Sequence, residues 1–173
     1  MLVMAAMLVG LGAVGCKSSK KTAASSATTS AASAATDPAQ ILKRVDPSEY
    51  ANEVVLRLER TACFGTCPVF TMVIFEDGTG WYEGRTHATP EGKHTFSGID
   101  VAGLLAQAKE INYMGLEDEY VTPVTDFPTC YTYVRLGKDR KQIRDYRGAP
   151  PELKAFEKKI EEAVFGVKMT RAE

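Results

Sequence analysis

The chain has 173 residues, 21 Lys and Arg against 22 Asp and Glu, and 45% hydrophobic residues. This length fits one domain with a tail, and this composition excludes collagen-like, wholly disordered and multi-span membrane proteins. Four cysteines are too few for a disulfide-dense miniprotein, and the near-neutral charge gives no general attraction to nucleic acid.

The first fifteen residues have the composition of an export signal. Residues 2–15 carry no charge and only small or apolar side chains, a stretch too short to span a bilayer. It ends in Ala13-Val14-Gly15-Cys16, which resembles the lipobox of bacterial lipoproteins. In that family the signal is cut before the cysteine, whose thiol carries a diacylglycerol. We therefore expect residues 1–15 to be a lipoprotein signal peptide and acylated Cys16 to bind membrane lipid; the alternative is a plain signal peptide.

The composition of the segment after Cys16 is typical of a flexible tether. Residues 22–36 are all Ala, Ser or Thr, so the segment has almost no apolar surface with which to offset its ordering entropy. We expect residues 16–45 to be a flexible tether and residues 46–168 to be a single domain in the bacterial cell envelope, facing the periplasm or the cell exterior. Residues 1–40 hold three lysines and one aspartate, which leaves 18 basic and 21 acidic residues beyond them. The mildly acidic charge of the domain therefore gives no reason to expect nucleic-acid binding.

The sequence of the domain predicts, in chain order, a group of strands, a helix, a second group of strands and a final helix. Asp77-Gly78 is a hairpin turn signal, Asp100 predicts a helix N-cap, and Pro150-Pro151 predicts the start of a last helix that ends near Gly166. The pattern predicts an α+β fold, an antiparallel sheet built of hairpins with two helices packed on one face. Strands are expected at 53–59, 68–75, 80–84, 93–96, 130–136 and 141–146, and mainly loop at 113–129. The helix faces consist of Val101, Leu104, Leu105, Ala108 and Ile111, and of Leu153, Phe156, Ile160 and Val164.

Cys63 and Cys67 flank a tight turn and form the sharpest local motif. One interpretation is a structural disulfide between them with Cys130 free, and another pairs Cys130 with one of the two. A third is a thiol redox site, since an exposed bridge is easily reduced. The fourth is soft-metal binding, because the spacing Cys-x-x-x-Cys-Pro is similar to the copper motif of Sco-type chaperones, which a histidine such as His87 or His94 completes.

Other candidate chemistry is sparse. No nucleophile elbow, phosphate-binding glycine loop or zinc-protease helix appears, so we predict no catalytic residue, no cofactor and no metal site. His87 and His94 are interpreted as exposed loop histidines, and Glu117–Glu119 as a solvated acidic run. Arg60 abuts the cysteine turn and Asp126 lies in a Pro-bounded loop. We expect these two either to form an ion pair that joins the loops or to belong to a ligand site.

Most of the domain resembles a bacterial family, the domain of unknown function 6438. The family pattern has an E-R-x-x-C-F-G-x-C-P-x-Y opening, a D-G-T hairpin and a Y-x-G strand. The resemblance implies a secreted or lipid-anchored envelope protein and no established activity. Cys130 stands where the family has Thr, which supports pairing Cys63 with Cys67. The matching segments are 60–70, 75–78, 82–84, Tyr120, 125–129, 145–150 and the final helix, within about residues 52–165.

The sequence as a whole predicts an exported envelope lipoprotein whose domain binds a ligand or supports an assembly without catalysis. Its partner is an envelope protein or a small ligand. The alternative is a thiol redox or copper-handling protein that uses Cys63 and Cys67.

Overall fold

The computed structural model describes residues 53–172. Its strands form one mixed sheet of eight strands. Its order is β5-β7-β6-β1-β2-β3-β4-β8. Neighbouring strands are antiparallel, except that β5 runs parallel to β7. The signal peptide, Cys16 and tether predictions lie outside the described residues. The strands are β1 Val54–Arg60, β2 Phe70–Phe75, β3 Gly80–Gly84, β4 Gly92–Phe96, β5 Glu119–Tyr120, β6 Cys130–Leu136, β7 Asp139–Asp145 and β8 Thr170–Arg171.

Two helices cover one face of this sheet. They are α1 Val101–Glu110 and α2 Pro151–Phe165, and a single 3-10 turn, Tyr113–Gly115, follows α1. Buried residues of both helices belong to the same apolar cluster as Leu56, Leu58 and other residues of the central strands. The predicted α+β fold is therefore confirmed. Within residues 53–172, neither helix has the length and apolar character that crossing a membrane requires.

Local sequence signals explain most element boundaries. The Asp77 carboxylate accepts a hydrogen bond from the Thr79 N–H at 2.9 Å, and Gly78 has a φ of 76°. A Cβ on Gly78 would lie 2.7 Å from the Ile99 carbonyl oxygen, so glycine is required there for space as well as for backbone conformation. The Asp100 carboxylate accepts from the Gly103 N–H at 3.0 Å and caps α1 as predicted.

Two strands and several ends differ from the sequence expectation. β2 begins at Phe70, two residues later than predicted, because Pro68 has no N–H with which to join the ladder. β7 covers Asp139–Asp145 instead of 141–146. The two-residue strands β5 and β8 were not predicted, since so short a segment carries no alternation of polar and apolar residues.

The sheet buries its two faces unequally. The helix-facing side forms the main core, in which Phe156 of α2 lies edge-on to Tyr113 at 5.8 Å between ring centroids. The opposite side has a small second cluster of Val73, Phe75 and Trp81. The site described next lies on the helix-facing side, at the end of the sheet where α2 begins.

Candidate functional site

A disulfide braces the loop between β1 and β2. Cys63 and Cys67 are bonded, with their Cα atoms 5.7 Å apart, and the Gly65 N–H donates to the Cys63 carbonyl oxygen at 2.9 Å. Phe64 lies between them with 89% of its surface exposed. Cys130 is a free, buried cysteine. The structure thus has the Cys63–Cys67 pairing and not a bridge to Cys130.

Backbone hydrogen bonds fix this disulfide loop to the loop that precedes β6. The Phe64 N–H donates to the Asp126 carbonyl oxygen at 3.3 Å, and the Thr61 N–H donates to the Thr129 carbonyl oxygen at 3.0 Å. The two loops are therefore joined, as expected, but through main-chain atoms. The expected ion pair between Arg60 and Asp126 is wrong, because the Asp126 carboxylate accepts from its neighbour Thr125 instead.

Arg60 instead belongs to a row of polar residues under α2. Arg60 of β1 is paired with Cys130 of β6, and Cys130 is paired with Asp145 of β7. Directly paired residues project to the same side of a sheet. The three side chains therefore share one face, which α2 covers.

The residues of α2 supply opposite charges to this row. The Arg60 Nε donates to Glu161 at 2.7 Å, and an Arg60 Nη lies 3.8 Å from Glu157. The Lys154 Nζ donates to Asp145 Oδ2 at 2.8 Å. We call Arg60, Cys130, Asp145, Lys154, Glu157 and Glu161 the polar cluster. The polar cluster places ionisable groups between the sheet and α2. Elsewhere on this face, the sheet packs apolar side chains against the helices.

Burial controls the ionisation of two groups in the polar cluster. Glu157 is only 1% exposed and accepts a hydrogen bond from the Thr132 hydroxyl at 3.1 Å. Burial raises the pKa of Glu157, while the positive charge of Arg60 opposes that rise. Burial also raises the pKa of the Cys130 thiol, and the negative charge of Glu157 adds to the rise. Cys130 is therefore held as a thiol, which is a poor nucleophile and a poor metal ligand.

A cleft of about 450 Å³ opens beside the polar cluster. Its lining includes Asp145, Lys154 and Arg60 of the polar cluster, together with Phe127 and Arg147. Asp145 is 5% exposed, and its Oδ1 is buried without a hydrogen-bond partner. A buried acceptor without a donor costs about 1–3 kcal/mol. The Arg147 guanidinium carbon lies 4.2 Å from the centre of the Phe127 ring, and no carboxylate in residues 53–172 forms an ion pair with it.

The strands and helices described above lie largely within a segment that matches a known protein family. The family model described as Domain of unknown function (DUF6438) matches residues 54–164, from the start of β1 almost to the end of α2. The chain belongs to this family. No curated protein and no solved structure matches the chain.

The histidines of this DUF6438 domain lie in different environments. His87 is exposed in a turn, as expected. His94 is buried in β4, where its Nδ1 lies 3.2 Å from the Gly92 carbonyl oxygen. The interpretation of His94 as an exposed loop residue is therefore wrong, since His94 is paired with the buried Tyr82 of β3 and their ring centroids lie 6.2 Å apart on the same face of the sheet. In the described part of the chain, no three His, Cys, Asp or Glu side chains come together as metal ligands.

The acidic run of the DUF6438 domain is exposed, as expected, and makes ion pairs with β7. Asp118 lies 2.9 Å from the Lys141 Nζ, and Glu119 lies 3.0 Å from an Arg144 Nη. These contacts hold the short strand β5 against β7.

Most of the polar cluster was not predicted from the sequence. Glu157 lies within the apolar stripe of α2, between Phe156 and Ile160, and an acidic residue in such a stripe is a readable signal of a buried partner. Asp145 alternates with the buried Ile143 in β7 and carries the same signal. Lys154 has no such signal, because its position on α2 is exposed.

We expect the double variant Cys63→Ser, Cys67→Ser to lose about 2 kcal/mol of unfolding free energy, because the bond restricts a short loop in the unfolded chain. Urea denaturation of the variant and of the oxidised wild type measures the difference. Wild type treated with reductant is the matched control and should give the variant's midpoint. Equal midpoints for the oxidised wild type and the variant would contradict a stabilising role.

Proposed function

We propose that this chain is a bacterial envelope lipoprotein, anchored through acylated Cys16, whose DUF6438 domain is a non-catalytic binding module. The sequence of residues 1–36, with its signal-like apolar stretch, lipobox-like cysteine and Ala/Ser/Thr run, supports the anchor and tether. Exposed Phe64 on the disulfide loop carries the binding role. The partner is a protein of the envelope, and the domain faces the periplasm or the cell exterior.

An exposed phenylalanine on a fixed loop suits a binding surface. Phe64 is 89% exposed, and Phe127 of the adjoining loop is 43% exposed. The disulfide and the hydrogen bond from the Phe64 N–H to the Asp126 carbonyl oxygen limit the motion of the Phe64 backbone. Holding aromatic side chains in place lowers the entropy cost of binding, and such residues dominate interface energies. We call Phe64 and Phe127 the aromatic edge.

The chemistry of the cysteines also supports a role in binding. Two of the domain's three thiols form the disulfide, and the third is buried in the polar cluster with a raised pKa. The loop therefore serves to present side chains, and the buried thiol serves to pack beneath α2.

The thiol redox or copper function is the second candidate, and one observation favours it. The disulfide lies in a loop with exposed residues on its tip, where an external thiolate has access to sulfur. Reduction would also free two thiolates for a soft metal. Equilibration of the full chain with glutathione buffers separates the candidates: a bond that stays closed favours binding, and one that opens near the glutathione potential favours redox or copper chemistry.

We expect Phe64→Ala to abolish partner binding and to change the unfolding free energy by less than about 0.5 kcal/mol, because the removed ring packs on almost nothing. A photo-crosslinking phenylalanine analogue, which keeps the aromatic ring, at position 64 of the full chain in cells should give one discrete adduct. The same residue at exposed Lys138, in the turn between β6 and β7, is the control and should give none. Equal adducts at both positions, or none at position 64, would overturn the binding role.

Anchoring is tested on the same full chain. Labelling with radioactive palmitate should mark the wild type and leave Cys16→Ala unlabelled. An unlabelled wild type would contradict acylation and would leave the crosslinking result to stand by itself.

A further inference from the structure

The lining of the cleft beside the polar cluster includes an unsatisfied acceptor. Asp145 shares its Oδ2 with Lys154, and its Oδ1 is buried with no donor. Among the described residues, Asp145 is the one carboxylate in a lining that also holds the cations Arg60, Lys154 and Arg147. An ammonium group is a charged donor that would satisfy the Asp145 Oδ1.

Arg147 lines the same cleft. Arg147 stacks on the Phe127 ring at 4.2 Å and has no ion pair within residues 53–172. A stacked guanidinium keeps its N–H edge free, and two parallel N–H groups match the two oxygens of a carboxylate. The Phe127 ring also fixes the plane in which that edge lies.

We propose that this cleft binds a small zwitterion, whose ammonium group donates to Asp145 and whose carboxylate accepts from Arg147. The proposal rests on the binding function and names a ligand for the same module. A simple anion would leave the Asp145 Oδ1 without a donor, and a simple cation would meet the repulsion of Arg60, Lys154 and Arg147. A free α-amino acid carries both charged groups on one carbon atom, and the cleft volume of about 450 Å³ accommodates it. Ligand pockets of proteins measure roughly 300–1,000 Å³.

The cleft also adjoins the aromatic edge, because Phe127 belongs to both. A ligand that fills the cleft therefore contacts a residue of the proposed partner surface. The zwitterion and the envelope protein are separate ligands, and the experiments below address them separately.

The test is calorimetric titration of the purified full chain in detergent. Glycine and L-alanine are the zwitterionic probes, and acetate, methylammonium and inorganic phosphate are the single-charge probes. We expect each zwitterion to bind at least tenfold more tightly than any single-charge probe. Asp145→Asn and Arg147→Gln should each weaken zwitterion binding at least tenfold, and Lys138→Gln, on a distant exposed turn, should not change it.

Three results would overturn the proposal: no heat from any probe, acetate or phosphate binding as tightly as glycine, or zwitterion binding that is unchanged in Asp145→Asn or in Arg147→Gln. Thermal unfolding of each variant shows that its fold is intact, and Arg147 is exposed, so that variant keeps the test decisive. If the zwitterions fail while the crosslink at position 64 forms, this inference falls and the binding function stands. If both fail, the binding function falls as well.

Discussion

Replacing Arg60 by methionine is expected to lower the unfolding free energy by about 3 kcal/mol near pH 8, because it leaves buried Glu157 without its cation. Burial already raises the pKa of Glu157 above its ordinary value of 4.5. The folded chain then holds this proton more tightly than the unfolded chain, so the contribution of Glu157 to stability falls as pH rises above that value. Arg60 opposes this loss, and its removal enlarges it.

The loss is therefore expected to depend on pH. Near pH 4 the Glu157 carboxyl is mostly protonated in both states, and Arg60→Met should cost much less there than near pH 8. Urea denaturation at both pH values measures the difference. The variant Glu157→Gln is the matched partner, and the double variant should regain most of the loss at high pH. An equal cost at both pH values would show that Arg60 acts by packing its stem and not by its charge.

Within residues 53–172, five side chains on neighbouring elements face Glu157. These are Arg60 of β1, Cys130 and Thr132 of β6, Asp145 of β7, and Tyr113, which follows α1. The positive charge of Arg60 lowers the pKa of Glu157, whereas the negative charge of Asp145 raises it. Asp145→Asn should therefore shift the pH dependence in the direction opposite to Arg60→Met.

Phe156→Ala is expected to cost about 3–5 kcal/mol of unfolding free energy, which is the usual range for removing a fully buried aromatic ring. Phe156 has no exposed surface and contacts Tyr113 edge to face. Its loss leaves a cavity between α2 and the sheet, beneath the polar cluster. Chemical denaturation of the variant and the wild type gives the value.

Phe64→Ala is the matched control, because it makes the same chemical change at an exposed ring. It should cost less than about 0.5 kcal/mol. A loss below about 1 kcal/mol for Phe156→Ala would contradict the packing of α2 on the sheet, since core phenylalanines rarely cost so little.

Local patterns predicted most of the fold. The strand β6 matches the predicted 130–136, and the α2 stripe of Leu153, Phe156 and Ile160 is buried as the helical spacing indicates. These successes share a cause: alternation and helical spacing are properties of one segment at a time. The antiparallel pairs β2–β3 and β6–β7 followed from hairpin connections, whereas the pairing of β1 with β6 joins segments that are distant in sequence.

The site was less accessible to prediction because it depends on contacts between distant segments. Arg60, Cys130 and Asp145 become neighbours only when β1, β6 and β7 pair. Arg60 was predicted to pair with Asp126. Its partners in the structure are Glu157 and Glu161, which lie about a hundred residues further along the chain. No single-segment pattern states which acidic residue faces a given arginine.

The ends of the sheet have a consequence for behaviour at high concentration. Each outer strand, β5 and β8, has only two residues, and an extended chain that meets them finds few free main-chain groups. The part of β7 that β5 leaves uncovered carries Asp139, Arg140 and Lys141. Charged side chains on an open edge disfavour strand addition by a second molecule. We therefore expect that concentrated solutions of this domain resist fibrous aggregation through its sheet edges.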